Sequence, residues 1–299
     1  MRSYRPRLVH PARADAAFPP LRTIAITSGK GGVGKTNLCA SIAVALRRSG
    51  ARVLTLDGDL GKANLDIVMG VMPGRSLLDM LAGRCGIEDV LVDGPEGIRI
   101  LPTCSGQYEL ANMSDTERHG LFAAIDGLEA HFDVLLVDTA AGITSNAVAF
   151  AAAAREVVLV ATPEPTSIAD AYAMTKVLAR RCRVRRVRVL ANMVQSPRQG
   201  EQVFRRLAHL AERFLDVGMD YLGFVYRDAA VASSVERGRP FLLAEPEAPA
   251  SRCVAAIAAK LGLLAEAAGD RGGVGLFWRR LIETERDRMT PRLQQGASR

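Results

Sequence analysis

The feature that most constrains this chain is an eight-residue run, Gly29-Lys30-Gly31-Gly32-Val33-Gly34-Lys35-Thr36, set between the strand-like TIAIT and a helix-like stretch. A phosphate chain needs backbone N–H groups converging on it without Cβ obstruction, a cation for its terminal phosphates, and a hydroxyl for Mg²⁺. The spacing G-x-x-x-x-G-K-T supplies all three: glycines for the loop, Lys35 for the phosphates and Thr36 for the metal. A magnesium-bound nucleotide, ATP or a close equivalent, is the expected ligand. A loop of this kind must lie between the end of a sheet strand and the start of a helix.

The rest of the chain supplies such a sheet. Apolar strand-like runs at 23–27, 52–57, 98–101, 134–138, 157–162, 187–191 and 221–225 alternate with helix-like stretches, the longest at 35–49, 167–181, 200–214 and 250–261. Several runs are continuous Val/Ile/Leu/Ala without alternation, as in strands covered on both faces. The expectation is an α/β fold with a mostly parallel central sheet and helices on both faces. Residues 1–22, with Pro6, Pro11, Pro19 and Pro20, read as an extended arm. The fold then occupies 23–264. Residues 265–273, AEAAGDRGG, read as a linker before a short amphipathic piece at about 274–288 within the final segment 265–299.

Composition narrows the classes further. The 299 residues include 48% hydrophobic and 24% charged ones, as in an ordinary globular protein. The five cysteines (Cys39, Cys85, Cys104, Cys182, Cys253) are scattered without a C-x-x-C pair, so a disulfide framework or zinc ribbon has no basis. A reduced, cytosolic protein is expected. No secretory h-region or spanning segment is present in the sequence. The net charge of +7 sits mainly at the ends: residues 1–22 hold five Arg and one Asp, and residues 265–299 hold seven Arg and five acids. A basic tail meets anionic surfaces.

Carboxylates fall where ligands bind in open α/β sheets. Asp57 and Asp59 end the run LTLDGD, and Asp138 ends VLLVD. Two carboxylates beside a triphosphate repel it unless Mg²⁺ or water lies between, which makes Asp57 and Asp59 candidates for the metal shell and for positioning water. The alternative for Asp57 is a cap on the following helical turn. Asp138 after four apolar residues is the strand-end carboxylate that holds Mg²⁺ through water. Gly142, four residues on, can rotate its N–H toward the terminal phosphate. Asn192, after VRVLA, can offer one donor and one acceptor to an adenine edge, or simply form a turn. The four histidines (His10, His119, His131, His209) lack metal-ligand spacing.

Lys30, a second cation that the general motif does not require, makes the loop resemble the deviant Walker A of the MinD/ParA family. That resemblance implies that Lys30 reaches the partner's nucleotide across an ATP-dependent homodimer. It further implies that Asp59 activates water, that Asp57 belongs to the outer Mg²⁺ shell, and that Asn192 reads adenine beside main-chain groups of Val225, Tyr226 and Arg227. Lys35 and Lys30 would serve catalysis together with Asp59. The runs NLDIVMG, DTAAGI, TPEPTSIADAYA, NMV, GFVYRD and PFLLAEPEAPAS resemble one branch of the family, the flagellar number regulators of FlhG/FleN type, over about residues 21–264. The branch implies a cytoplasmic ATPase, peripheral on the inner face of the cytoplasmic membrane, that controls flagellar number or placement. Its implied partners are the signal-recognition-type GTPase FlhF and flagellar transcription activators or switch-complex proteins, with Glu164 near the nucleotide. Relatives that stimulate the GTPase carry D-Q-A-x-x-L-R. Here Asp15 to Arg22 is one residue longer with two prolines, so stimulation through such a helix stays open.

At about 100° per residue, Val274, Phe277, Trp278, Leu281 and Ile282 fall within an arc of about 140°, opposite Arg279, Arg280 and Glu283, with Leu276 outside the arc and Glu285 on the apolar side as exceptions. This reads as an in-plane membrane helix with basic flanks, or as a stripe docked on its own domain. One such anchor is marginal, whereas two in a nucleotide-clamped dimer gain avidity of the order of 10²–10⁴. A DNA-partitioning ATPase is the competing reading, resting on the run Arg180, Arg181, Arg183, Arg185, Arg186 and Arg188. A solvated helix end accounts for the same run, and nucleic acid is not the expected partner. A metal-cluster reductase sharing the loop needs a cysteine after Gly142, and GITSNAVAFAAAA has none.

Overall fold

The structure is a computed structural model and describes residues 21–59, 64–76, 79–80, 82–102, 127–128 and 130–267. The N-terminal arm up to residue 20, Cys104 and the membrane-helix residues Val274, Phe277, Trp278, Leu281 and Ile282 lie outside the described residues.

In chain order the elements are β1 (Arg22–Ser28), α1 (Lys35–Arg48), β2 (Val53–Gly58), α2 (Leu65–Met69), α3 (Ile87–Val90), β3 (Val92–Asp93) and β4 (Arg99–Leu101). They continue with β5 (Val134–Ala141), α4 (Ser145–Ala153), β6 (Glu156–Ala161), α5 (Pro165–Cys182), β7 (Arg186–Val194), α6 (Pro197–Phe214), β8 (Gly218–Tyr226), α7 (Ala229–Glu236), α8 (Phe241–Ala244) and α9 (Pro249–Ala267). The eight strands form one sheet in the order β3-β4-β2-β5-β1-β6-β7-β8. Every pairing is parallel except that of β3 with β4.

Side chains alternate across this sheet and bury on both sides, which is why the strands read as unbroken apolar runs. Ala25, Leu135, Val137, Leu159 and Val189 pack toward α4, α5 and α6. Ile24, Ile26, Leu136, Val158 and Leu190 pack toward α1, α2, α8 and α9. The carboxyl ends of β1, β2, β5 and β6 therefore open together at one edge between two helix layers, the position where ligands bind in such sheets.

Two elements depart from the pattern in the sequence. The alanine-rich stretch after Gly142 is the helix α4, capped by the Thr144 hydroxyl, which accepts from the Ala147 N–H at 3.3 Å. It is apolar on all sides, so it shows no helical stripe. The last helix, α9, continues through residues 265–267, where the sequence reads as a linker. Those residues, Ala-Glu-Ala, are strong helix formers.

Candidate nucleotide site

The glycine-rich loop leaves β1 and turns into α1 through Gly34, whose φ of 88° lies in the left-handed region that favours glycine. Gly29 is required for a different reason. A Cβ there would stand 2.0 Å from the Asp170 carbonyl oxygen, so the loop's first residue rests directly on the α5 backbone. The loop is also held internally, since the Ser28 hydroxyl donates to the Lys30 carbonyl at 2.7 Å. Beneath it, the Thr139 hydroxyl contacts that of Thr27 at 2.9 Å, tying β5 to β1.

Lys35, at the first turn of α1, is buried among Asp138 and Asp59. Burial lowers its pKa, while the two carboxylates oppose the shift. Asp138 lies in the buried part of β5, directly paired with Asp57 of β2 and Ile26 of β1. Burial raises its pKa to about 7. The Thr36 hydroxyl, hydrogen-bonded to it, acts against the shift, and the Asp57 charge adds to it. Asp138 Oδ1 is buried with no hydrogen-bond partner among the described residues. An orphaned carboxylate oxygen beside a threonine hydroxyl, at the foot of a phosphate loop, fits a Mg²⁺ ion through Thr36 and Asp138.

Asp57 is engaged differently. Its carboxylate accepts from the N–H groups of Asp59 at 2.9 Å, Asn64 at 2.9 Å and Leu65 at 3.0 Å. It therefore caps α2, the alternative open in the sequence, while standing next to Asp138 in the sheet. Burial raises its pKa and these amide bonds hold it down. Asp59 lies half-buried just past the end of β2, in the electrostatic reach of Lys35 and Asp138.

Three further residues surround the mouth. Gly142, at φ 80°, donates its N–H to the Ser28 carbonyl at 3.1 Å, which latches it to the strand below the loop. Glu164 precedes α5, and its carboxylate accepts from Lys30 Nζ at 2.6 Å, with the Thr166 hydroxyl at 3.0 Å from the same nitrogen. This pairing lowers the Glu164 pKa, and Arg227 across the mouth acts in the same direction. Asn192 is buried, and its Nδ2 donates to the Val33 carbonyl at 2.7 Å. Its amide braces the loop from β7, and a Cβ on Gly34 would stand 2.6 Å from it. Val225, Tyr226 and Arg227, the residues expected beside the base, lie at the end of β8 next to β7, where the Arg227 N–H donates to the Val194 carbonyl at 2.9 Å.

Sequence reasoning missed three contributors. Thr166 shares Lys30 with Glu164, and nothing local in the sequence signals a contact across more than a hundred residues. Met193 takes φ 57° within a slip of the β7–β8 register, which turns its side chain toward Gly34 beside Asn192. Successive strand residues otherwise face opposite sides. Asp228 accepts from Ala230 N–H at 3.0 Å and from Ala250 N–H at 3.1 Å, joining the starts of α7 and α9 to the end of β8. An aspartate before AAVASSVE is a cap signal that could have been found.

A glycine loop on a helix start, a buried lysine and a strand-end aspartate on a parallel sheet define a P-loop nucleotide-binding protein. The chain belongs to the CobQ/CobB/MinD/ParA nucleotide binding domain family, which it matches over residues 24–241. It is 44% identical over 264 residues to the antiactivator FleN of Pseudomonas aeruginosa, covering 88% of this chain and 94% of that protein. It is 36% identical over 203 residues to the flagellum site-determining protein YlxH of Helicobacter pylori, 68% of each chain. Among solved structures it resembles the MinD cell division protein of Aquifex aeolicus, with 29% identity, a TM-score of 0.62 and 81% and 96% of the two chains covered. It also resembles MinD of Pyrococcus horikoshii complexed with Mg-ADP, with 26% identity, a TM-score of 0.64 and coverage of 83% and 98%. The protein is a MinD-like ATPase, with ATP and Mg²⁺ as its cofactors.

Proposed function

We propose that this ATPase is a nucleotide-operated regulator of flagellar number or placement, in which Mg-ATP clamps two copies together and hydrolysis lets them part. The observation that carries the reading is the 44% identity to FleN across 88% of the chain, with the second, YlxH-type match in the same functional class. In this account the loop amides and Lys35 hold the phosphates and Asn192 steadies the loop beside the base. Thr36 and Asp138 hold Mg²⁺, with Asp57 behind them. The metal supplies charge neutralisation at the phosphates. Asp59 orients the attacking water from its place at the end of β2. Lys30 leaves Glu164 and Thr166 to reach the partner's nucleotide. Gly142 gives up its bond to Ser28 when the terminal phosphate draws its N–H.

The dimer is read as the form that holds the inner face of the cytoplasmic membrane through Val274, Phe277, Trp278, Leu281 and Ile282. From there it acts on flagellar assembly or transcription factors. Among the described residues no helix is long and apolar enough to cross a membrane, and an amphipathic stripe of this kind would lie in the plane of the surface. The deciding experiment is sedimentation of the Asp59→Ala protein with ATP, ADP or no nucleotide, alone and with vesicles. The reading expects a dimer with ATP alone, pelleting with vesicles. A protein that stays monomeric at saturating ATP removes it.

A further inference from the structure

The two long helices α5 and α6 run antiparallel to the strands, so their carboxyl ends lie at the far end of the sheet from the phosphate loop. That end carries most of the arginine run. Arg181 and Arg183 are exposed and have no ion pair among the described residues. Arg180 reaches the Phe214 carbonyl at 3.5 Å, joining the two helix ends. Phe214 itself leaves half its surface in water, with the Arg213 guanidinium 5.2 Å from its ring centre. Arg185 and Arg186 are exposed and pair with Asp216 and Asp220. Arg180, Arg181, Arg183, Arg185, Arg186 and Arg213 thus share this end with one exposed aromatic ring and with three acids, Glu212, Asp216 and Asp220.

The same end is where α9 finishes. Arg22, the first residue of β1, donates to the Leu261 carbonyl at 2.6 Å, which fixes the last turns of α9 at the start of the sheet. Leu263, beyond it, is 68% exposed. The 32 residues that follow α9, with the amphipathic stripe of the sequence, therefore set out from the end that carries the arginines.

From this coincidence we propose that the arginine-rich end, Arg181, Arg183 and Arg213 around Phe214, is a second membrane contact that lies on anionic lipid headgroups. It rests on the membrane association proposed above and gives it a second signal. A single short amphipathic anchor holds weakly, and stable residence takes one apolar element plus a basic patch. Each arginine at an anionic surface strengthens binding about fivefold. Lipid is favoured over nucleic acid by the exposed Phe214 and Leu263, which DNA phosphates would leave unmatched. The surface lies away from the loop, so it can act in either nucleotide state, and nucleotide would control it only through the number of copies held together.

The test uses the full chain with Mg-ATP and two kinds of vesicle, phosphatidylcholine alone and phosphatidylcholine with phosphatidylglycerol. The variant is Arg181→Gln with Arg183→Gln, whose residues have no part in the nucleotide site, so ATP hydrolysis in solution should be unchanged. The proposal expects about 30-fold weaker binding to the phosphatidylglycerol vesicles, unchanged binding to phosphatidylcholine alone, and loss on both with Leu281→Glu. Wild-type binding to phosphatidylglycerol retained in full by the double variant, with Leu281→Glu still defective, overturns this inference and leaves the membrane reading standing. Failure of the wild type on both vesicles removes the membrane reading and this inference with it. Loss of salt-sensitive duplex DNA retention in the double variant, with vesicle binding intact, assigns the surface to nucleic acid and overturns the proposal.

Discussion

Lys30 Nζ stands 2.6 Å from Glu164 Oε2 and 3.0 Å from the Thr166 hydroxyl, so the second lysine of the loop is bonded within its own chain. Its side chain is 35% exposed and that of Glu164 52%. Ion pairs this open to water contribute little, and a competing phosphate can overcome them. The contact restrains the lysine without adding much to the fold.

Replacing Glu164 by Gln should therefore shift assembly and spare stability. The expected outcome is dimerisation at lower ATP concentration, with a melting temperature close to that of the wild type. Sedimentation velocity across an ATP titration reads the first, and a thermal melt without nucleotide reads the second. An unchanged ATP dependence would mean that the lysine is not held back by this contact.

Asp59 lies half-buried just past the end of β2, where the proposed function has it orient water, whereas the Asp57 carboxylate accepts from three backbone amides. Removing Asp59 should lower phosphate release by about 10²–10⁴ with nucleotide affinity kept. Asp57→Ala should instead loosen the start of α2, since the amides of Asn64 and Leu65 lose their acceptor. Phosphate release, nucleotide binding and amide exchange separate the two carboxylates.

Asp138 makes stability depend on pH in a definite direction. Its ordinary pKa of 3.8 is raised to about 7 in the folded chain. Between those values the native state holds a proton that the unfolded state has lost, so stability falls as pH rises through this window and levels off above it. Asp57, also raised, adds in the same direction. Urea unfolding without nucleotide, at pH 5 to 8 with a chelator present, should show this decline. Asp138→Asn should flatten it and be more stable than the wild type at the alkaline end. Mg²⁺ affinity should follow the opposite trend, rising with pH as the carboxylate gives up its proton.

The sheet was legible because burial on both faces leaves unbroken apolar runs. The expected strands at 52–57 and 157–162 fall within one residue of β2 and β6, while that at 134–138 stops three residues short of the end of β5. β3, two residues long and antiparallel at the edge, has no run to read. The phosphate loop was legible because its chemistry is local: backbone, lysine and hydroxyl lie within eight residues. Asn192 was not, in the same sense. Its candidacy came from its place after a strand, but its bond to Val33 spans 159 residues, and spacing alone cannot say whether an amide meets a base or a carbonyl. The Lys30–Glu164 pair and the double cap of Asp228 are likewise products of the fold, joining segments that local patterns treat separately.

The base of the sheet supplies a last prediction, about what holds α9. Glu156 accepts from both Arg22 and Arg188, and all three side chains are about nine-tenths buried. The two arginines are not equivalent. Arg22 binds both carboxylate oxygens and also the Leu261 carbonyl, whereas Arg188 leaves its Nε buried without a partner among the described residues. Burial lowers the pKa of Arg22 to about 10; burial also lowers that of Arg188, and the Arg22 charge adds to the shift. Removing Arg188 relieves that repulsion and keeps the two-point bond to Glu156, so Arg188→Ala should cost about 1 kcal/mol or less. Removing Arg22 strands the Leu261 carbonyl and loosens the end of α9, so Arg22→Ala should cost about 2–4 kcal/mol. Urea midpoints rank the pair, and amide exchange at residues 258–267 should accelerate in Arg22→Ala alone. Equal losses in the two variants would show that Arg22 acts as one more charge at the sheet base and not as the tie that fixes the helix.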